Sequence, residues 1–178
     1  MEKRKYTLRK RAEGQEDTRA RIVEATMQLH EELGPRNTTF SSVAERAGVQ
    51  RLTVYRYFPD EMALFQACTS CWLESHPPPP LPAGDLRPAA AQAALLALYQ
   101  YYRDTQKMWV VSYRDVDLVP ALQGPMRGVA QYQGAYASAL ITRWSLKSKQ
   151  EPLRAAATVA VQFATWQTLD GLGLKDEA

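Results

Sequence analysis

The sequence predicts an all-α protein whose helices fall into two groups. Apolar residues recur with the 3.6-residue period of an α-helix along most of the chain, and no segment shows the alternation of a strand. Residues 76–88 contain six prolines, which remove backbone donors and fix φ, so no helix is expected to cross this segment. At 46% hydrophobic and 23% charged residues, the 178-residue chain has the composition of a globular protein with a buried core.

Four helices are expected before the prolines and four after them. The first group is predicted at residues 18–33, 40–47, 50–58 and from residue 60 onward. Asp17 or Thr18 can cap the first helix, Gly34-Pro35 can end it, and Thr39 can cap the second. The second group is predicted at residues 89–105, around 107–118, at 126–146 and from 152 to about 169, where Pro152 suits the first helical position.

Positive charge is concentrated at the N-terminal end of the chain. Residues 1–60 hold 12 Lys and Arg against 9 Asp and Glu, whereas the remaining residues hold 10 of each. Six basic residues lie within the first eleven, namely Lys3, Arg4, Lys5, Arg9, Lys10 and Arg11. A basic arm on an otherwise neutral chain indicates a polyanionic partner, although a solvated tail would have the same composition.

Residues around Gly48 have the spacing of a helix-turn-helix. Gly48 can take the positive φ that the turn needs, and Ala44, four residues earlier, lets the two helices approach closely. Val49 and Val54 can fill the core that the helices share. The other inward positions are expected to hold Phe40, Val43, Ala47 and Tyr57.

The opposite side of the helix at residues 50–58 carries polar and bulky side chains, namely Gln50, Arg51, Leu52, Thr53, Tyr55 and Arg56. The first residues of a recognition helix are those that reach base edges in the major groove. Arg51 can bind guanine through two hydrogen bonds, and Leu52 can touch a thymine methyl group. The hydroxyls of Thr53 and Tyr57 can bond phosphates, whereas Phe58 is expected to wedge into the core.

Residues 38–65, TTFSSVAERAGVQRLTVYRYFPDEMALF, resemble the DNA-binding domain of the TetR family of transcriptional regulators. The resemblance covers roughly residues 18–66, and its most specific element is the run TVYRYFP at residues 53–59. It implies that phosphate is contacted by Thr39 and Ser41. It implies that bases are faced by Arg51, Leu52 and Tyr55, and that the DNA backbone is held by Thr53, Arg56 and Tyr57.

Three positions depart from the family pattern. Glu61 stands where the family usually has a lysine that touches phosphate, which puts one backbone contact in doubt. Tyr57 replaces a more usual histidine and keeps a hydrogen-bond donor, and Leu52 replaces a common glycine. The basic arm can compensate for Glu61 by entering the neighbouring minor groove.

The predicted domains are a basic arm at residues 1–17, the DNA-binding domain at 18–66, the end of the fourth helix with the proline-rich linker at 67–88, and a helical regulatory domain at 89–178. The resemblance implies that the last of these holds a small-molecule effector. Aromatic residues there suit an apolar pocket, although they suit a plain helical core equally well. The pocket candidates are Tyr102, Trp109, Tyr113, Tyr132 and Trp166, of which Trp109 and Tyr113 lie four residues apart.

The resemblance also implies a homodimer. Small residues, which let helices pack closely, recur at Gly128, Gly134, Ala135, Ala137 and Ala139 and again at Ala155, Ala156, Ala157, Ala160 and Ala164. Two helical hairpins across a two-fold axis would make a four-helix interface. Helix propensity alone also favours alanine.

Cys68 and Cys71 form a CxxC pair, but no strand is expected before it and the chain has only two histidines, His30 and His76. A buried or half-buried pair of thiols on a helix is therefore expected, with no metal. No Ser/His/Asp set and no pair of carboxylates suggests catalysis, so neither an enzyme nor a cofactor is expected. Two cysteines, no secretory signal and no apolar run of about 20 residues indicate a cytoplasmic protein without a membrane partner.

The sequence and its resemblance therefore predict a sequence-specific transcriptional regulator, expected to be a repressor. It would bind a palindromic operator in double-stranded DNA as a homodimer and be released by a small-molecule effector. One alternative is a DNA-binding dimer that needs no ligand. Another is a thiol or metal sensor that acts through Cys68 and Cys71.

Overall fold

A computed structural model describes residues 2–84, 87–142 and 150–173, and every regular element within these ranges is helical. The helices are α1 (Glu2–Leu33), α2 (Phe40–Ala47), α3 (Arg51–Tyr57), α4 (Glu61–Ser75), α5 (Pro88–Asp104), α6 (Gln106–Asp115), α7 (Pro120–Leu140), α8 (Gln150–Ala160) and α9 (Phe163–Gly171), with one turn of 3-10 helix at Pro35–Asn37. The predicted all-α class is confirmed. None of the described helices is both long and apolar enough to cross a bilayer.

The first helix begins at Glu2, well before the predicted start at residue 18, so the expected caps at Asp17 and Thr18 are wrong. The Thr18 hydroxyl instead donates to the Gly14 carbonyl at 2.8 Å, and Asp17 pairs with Arg21 one turn later at 3.4 Å. Lys, Arg and Glu are good helix formers, but as charged residues they add nothing to the periodic pattern of apolar residues. The basic arm is therefore helical, and apolar periodicity alone could not reveal it.

The predicted boundaries of α7 are also wrong. This helix starts at Pro120 rather than near residue 126, and it includes Pro125 in its second turn. A proline there removes one backbone donor without ending the helix, because the turns on either side keep their own hydrogen bonds. The helix ends at Leu140, and the predicted continuation through residues 143–146 falls outside the described residues.

A break divides the predicted last helix into α8 and α9. Gln162 is extended, with φ −78° and ψ 142°, and it precedes α9. Two tyrosine hydroxyls of α5 bind the carbonyls at the end of α8, with Tyr99 donating to Ala160 at 2.9 Å and Tyr102 donating to Val161 at 2.6 Å. The break is thus stabilised from a distant part of the chain, which explains why the sequence predicts one continuous helix.

The chain forms two compact units that alternate along the sequence. The first unit comprises Met1–Ser75 with Val111–Gln123, and the second comprises His76–Val110 with Gly124–Ala178. A segment from beyond the prolines therefore packs with the N-terminal helices, although the sequence predicts an unbroken regulatory domain at residues 89–178. This arrangement places Asp115, at the end of α6, in the same unit as the helix-turn-helix.

The core of the first unit is aliphatic, and the core of the second is rich in aromatic rings. The first contains Ile22, Val23, Leu29, Val43, Val54, Phe58 and Leu64. The second contains Leu98, Tyr99, Tyr102, Trp109, Tyr136, Phe163 and Trp166. The proline-rich segment is held within the second unit, where Tyr101 donates to the His76 carbonyl at 3.3 Å and Tyr132 donates to the Pro79 carbonyl at 2.7 Å.

Candidate nucleic-acid interface

The turn between α2 and α3 has the geometry that its sequence predicts. Thr39 caps α2 in a reciprocal capping box with Ser42, which satisfies backbone donors of the first turn. Gly48 has φ +65°, in the left-handed region that favours glycine. The Val49 amide donates to the Ala44 carbonyl at 2.9 Å and closes the turn. The predicted helix-turn-helix is therefore confirmed at the level of backbone geometry.

The orientation of α3 follows from its buried residues. Val54 is fully buried, and Phe58 packs into the core as the predicted wedge, with the Arg19 guanidinium 5.3 Å from its ring centroid. Leu52, on the other side of α3, is 78% exposed. The buried side of α3 therefore leaves its first turn and its outer side accessible to a partner.

Three side chains from α2 and α3 form a stack on this exposed surface. The Phe40 and Tyr55 ring centroids lie 4.7 Å apart, and the Arg51 guanidinium lies 5.5 Å from the Tyr55 ring. Arg51 Nη2 also donates to the Tyr55 hydroxyl at 3.0 Å. An arginine restricted in this way loses less side-chain entropy when it binds a planar acceptor pair.

The remaining predicted DNA contacts surround this stack. Thr39 and Ser41 are exposed at the start of α2, Gln50 is exposed at the cap of α3, and Arg56 is exposed further along it. Thr53 is half-buried, and Tyr57, predicted to face inward, is also half-buried, under the Arg56 guanidinium at 5.3 Å. Glu61 is exposed at the start of α4, where its charge would oppose a phosphate.

Two contacts connect α1 to α2 behind this surface. Arg46 donates to both carboxylate oxygens of Glu32, at 2.8 and 2.7 Å, and this ion pair lowers the pKa of Glu32 below its ordinary value. Arg21 Nη1 donates to the Ala47 carbonyl at 3.2 Å, at the end of α2. Two arginines of the first unit are therefore used within the domain, whereas Arg51 and Arg56 remain on its outer surface.

A cleft of about 290 Å³ opens beside the stack and is lined by residues of α1, α2, α3 and α4. Arg51 and Tyr55 lie at one wall, Asp60 and Glu61 at another, and His30 lies within it. His30 is only 4% exposed, and this burial lowers its pKa to about 4, although the Asp115 carboxylate acts in the opposite direction. The imidazole is therefore neutral at pH 7.

The candidate effector residues are distributed between the two units. Tyr102, Trp109 and Trp166 meet in the aromatic core of the second unit, where Tyr102 lies 5.2 Å from Trp109 and 6.3 Å from Trp166. Trp166 is buried, and its indole nitrogen finds no hydrogen-bond partner among the described residues. Tyr132 is half-buried beside Tyr136, and Tyr113, within Val111–Gln123 of the first unit, is 41% exposed.

The two cysteines of α4 are free thiols, as predicted. Cys68 is buried, and this burial raises the pKa of its thiol to about 12. Its sulfur lies 3.7 Å from His30 Nδ1, and Cys71 is half-buried one turn later. Across the part of the chain that the structure describes, no three His, Cys, Asp or Glu residues come together as a possible metal site.

Asp115 is the residue of this unit that the sequence analysis missed. Its carboxylate accepts a hydrogen bond from the Arg36 amide at 3.0 Å, next to the start of α2. The two residues are separated by 79 positions along the chain, and an Arg-Asp pair at the end of a helix is common in sequences. No sequence signal could have placed this carboxylate beside the helix-turn-helix.

Comparison with known proteins is consistent with this geometry. The family model described as "Bacterial regulatory proteins, tetR family" matches residues 22–68, from within α1 to within α4. Among solved structures, the chain is similar to native NalD, the secondary repressor of the MexAB-OprM multidrug efflux pump in Pseudomonas aeruginosa. That similarity has a TM-score of 0.53 and 19% sequence identity, and it covers 92% of this chain and 89% of NalD. Curated proteins give no match.

The similarity to NalD concerns the fold, whereas the family model identifies the helix-turn-helix domain. The match spans the capped start of α2, the glycine turn and the exposed surface of α3. The family-model match therefore assigns residues 22–68 to the DNA-binding domain found in tetR family regulators.

Proposed function

We propose that the protein is a sequence-specific repressor that binds a palindromic operator as a homodimer and leaves it when a small-molecule effector binds. The exposed surface of α3 carries this proposal. Leu52 is 78% exposed and Arg51 is stacked on Tyr55, while Val54 and Phe58 anchor the same helix in the core. A surface of this kind matches the base-reading side of a recognition helix.

The proposed contacts divide into two classes. Base edges in the major groove are read by Gln50, Arg51, Leu52 and Tyr55. Phosphates are held by Thr39, Ser41, Thr53, Arg56 and Tyr57, which fix the register without reading sequence. The six basic residues at the N-terminus add electrostatic affinity for any DNA sequence.

A homodimer is supported by the outer surface of α7 and α8. Gly134 and Ala135 are exposed on α7, Ala155 and Ala156 are exposed on α8, and Val159 is 55% exposed. Small and apolar side chains on the surface of one chain suit close packing against a second copy. Two recognition helices related by a two-fold axis would read two half-sites of a palindrome.

Control by a small molecule is supported by the aromatic residues of the second unit. The candidates remain Tyr102, Trp109, Tyr113, Tyr132 and Trp166. An acceptor on an effector would satisfy the buried indole nitrogen of Trp166, which otherwise leaves a donor unpaired. NalD, which has a similar fold, is a repressor, and this agrees with a repressor role here.

The thiol-sensor alternative finds little support in the geometry. A thiolate is the reactive form of cysteine, and burial raises the pKa of Cys68 far above neutrality. We expect DNA binding to survive mild oxidation equally in the natural chain and in a Cys68→Ser/Cys71→Ser variant. Loss of binding in the natural chain alone would favour the sensor.

The proposed function is tested by selecting bound duplexes from a random pool and sequencing them. A two-fold symmetric consensus is the expected result, and that duplex can then be used to screen small molecules for release. A consensus whose binding no compound relieves would favour the ligand-independent dimer. Enrichment of no sequence, from protein that has been denatured and refolded to remove a bound effector, would refute sequence reading by α3.

A further inference from the structure

The corner between α1 and α2, residues 34–39, determines where α2 begins. It is held partly by residues that lie far from it along the chain. The Leu33 carbonyl at the end of α1 accepts hydrogen bonds from Asn37 Nδ2 at 3.0 Å and from Arg114 Nη2 at 2.9 Å. Gly34, with φ +88°, then turns the chain, and the turn leads to Thr39, the cap of α2. An arginine at the end of α6 therefore binds the last carbonyl of α1.

Asp115 supplies the second contact to this corner. Its Oδ2 accepts from the Arg36 amide at 3.0 Å and from Arg114 Nη2 at 3.0 Å, and its Oδ1 accepts from Arg114 Nε at 2.7 Å. The residue is only 1% exposed. The Arg114 guanidinium and the Arg36 amide hold the pKa of this carboxyl below its ordinary value, so it is charged at neutral pH.

The Arg114–Asp115 pair lies directly over Gly34. A Cβ added at Gly34 would lie 1.9 Å from Arg114 Nη2 and 2.5 Å from Asp115 Oδ2. Real Cβ atoms do not approach other atoms so closely, so any larger residue would displace the pair or the corner. Gly34 is therefore the residue that lets the Arg114–Asp115 pair approach the backbone here.

A buried carboxylate at this place is unfavourable in itself. The C-terminal end of a helix carries partial negative charge, which repels an anion, and burial removes the carboxylate from water. Hydrophobic packing of α1 against α2 and α4 already holds these helices together. Apolar residues could therefore stabilise the fold as well as Asp115 does. What the carboxylate adds is a fixed position for one group, the Arg36 amide, three residues before Thr39.

We infer that Asp115 is a positioning residue for DNA binding: by holding the Arg36 amide and the Arg114 guanidinium, it fixes the start of α2 from which Thr39 and Ser41 reach phosphate. This inference rests on the proposed function, because it concerns the same DNA-binding surface. It assigns to a residue of the Val111–Gln123 segment a part in DNA binding that the N-terminal helices do not perform alone.

The inference predicts a particular pattern of loss. Without the carboxylate, the Arg36 amide loses its acceptor and the corner can move, which weakens the phosphate contacts of α2. Base contacts come from α3, on the other side of the Gly48 turn, and they remain. Since phosphate contacts carry no sequence information, binding to every duplex weakens by the same factor and the preference for one sequence is unchanged.

The test compares the natural chain with Asp115→Ala, Asp115→Asn and Ile22→Val. Each full-length protein is titrated against the duplex enriched from the random pool and a scrambled duplex of the same length, with active protein counted by stoichiometric titration. We expect Asp115→Ala to bind both duplexes about tenfold more weakly, the factor that corresponds to loss of the hydrogen bond that holds the Arg36 amide. Asp115→Asn, which is nearly isosteric and keeps an acceptor for the Arg36 amide, should lie between Asp115→Ala and the natural chain.

The Ile22→Val variant is the control for stability. Ile22 is fully buried in α1, and its truncation lowers the stability of the same unit without altering the corner. We expect its affinity per active molecule to equal that of the natural chain. If both Asp115 variants bind within twofold of the natural chain, or if they lose affinity for the selected duplex alone, the inference is wrong.

Two further outcomes separate this inference from the proposed function. If the natural chain binds neither duplex, the proposed function fails and the inference fails with it. If it binds both equally, only the proposed sequence reading fails, and the Asp115 variants still test the inference. If the natural chain prefers the selected duplex and the Asp115 variants keep its full affinity, only the inference fails. If Ile22→Val loses affinity per active molecule to the same extent, the effect of Asp115 is general destabilisation and its positioning role is refuted.

Discussion

Replacing Arg51 by alanine removes the guanidinium that the structure presents at the first turn of α3. Within the described ranges, this group contacts Tyr55 through the 3.0 Å hydrogen bond and the cation–π contact, and Tyr55 is itself exposed, so the change leaves no buried partner there unsatisfied. The fold should therefore survive, because Val54 and Phe58 hold α3 from its other side. The whole effect is expected in DNA binding.

The magnitude follows from the chemistry of the contact. A bidentate arginine–guanine pair contributes about 1–3 kcal/mol of discrimination between bases, which corresponds to roughly 5- to 150-fold in affinity. The hydrogen bond and cation–π contact with Tyr55 already restrict Arg51, so little side-chain entropy is lost on binding. We therefore expect the effect toward the upper part of this range and confined to one base pair in each half-site.

The assay measures the affinity of Arg51→Ala for the selected duplex and for duplexes changed at each position in turn. Arg46→Ala is the matched control, since Arg46 is also an exposed arginine of this domain but binds Glu32 behind the surface. The control should keep the position-by-position profile of the natural chain. A profile of Arg51→Ala that falls uniformly at all positions, or is unchanged, would refute base reading by this residue.

Three other changes are expected to have measurable effects. Gly48→Ala should lower the free energy of unfolding by about 1 kcal/mol, because a non-glycine residue at φ +65° is strained while the added Cβ meets no atom closer than 3.9 Å; denaturant unfolding measures this, and an unchanged midpoint would contradict it. Deleting residues 2–11 should weaken binding to all duplexes and flatten the dependence of log K on log salt, because each phosphate contact contributes about 0.9 to that slope; an unchanged slope would show that the arm makes no phosphate contacts. Burial lowers the pKa of His30 to about 4, whereas an imidazole in the unfolded chain has a pKa of about 6.5. Between these two pH values the unfolded chain binds one more proton than the folded chain, so the free energy of unfolding should fall by about 2 kcal/mol as the pH decreases from 7 to 5. A His30→Gln variant should lack this part of the pH dependence, and an equal loss in the variant would assign it to other groups.

Much of the geometry of α2 and α3, which carry the proposed DNA contacts, could be predicted from the sequence because its determinants are local. The inward positions of Val43 and Val54 follow from helical spacing, and the role of Gly48 follows from its freedom to adopt positive φ. The hydrogen bond between Arg51 and Tyr55 was not predicted, although their separation of four residues places them on one side of a helix. Tyr57, expected at an inward position, is only half-buried, because inward and outward positions differ by a fraction of a turn.

The second unit was less predictable because its determinants lie far apart. The tyrosine hydroxyls that bind the carbonyls at the end of α8 come from α5, 61 and 59 residues earlier. An aromatic residue at helical spacing looks the same in sequence whether its ring fills a core or lines a pocket. Trp109 and Tyr113 illustrate this, since one is 7% exposed and the other 41% although they lie one turn apart on α6.

The sequence by itself determined the helical class, the turn at Gly48 and the side of α3 that faces outward, since each depends on residues within one or two helical turns. Only the tertiary structure decided that Asp115 binds the Arg36 amide across 79 residues, and that Arg114 binds the Leu33 carbonyl across 81. Which distant segments meet depends on how all the helices pack at once. No local spacing of residues records that outcome.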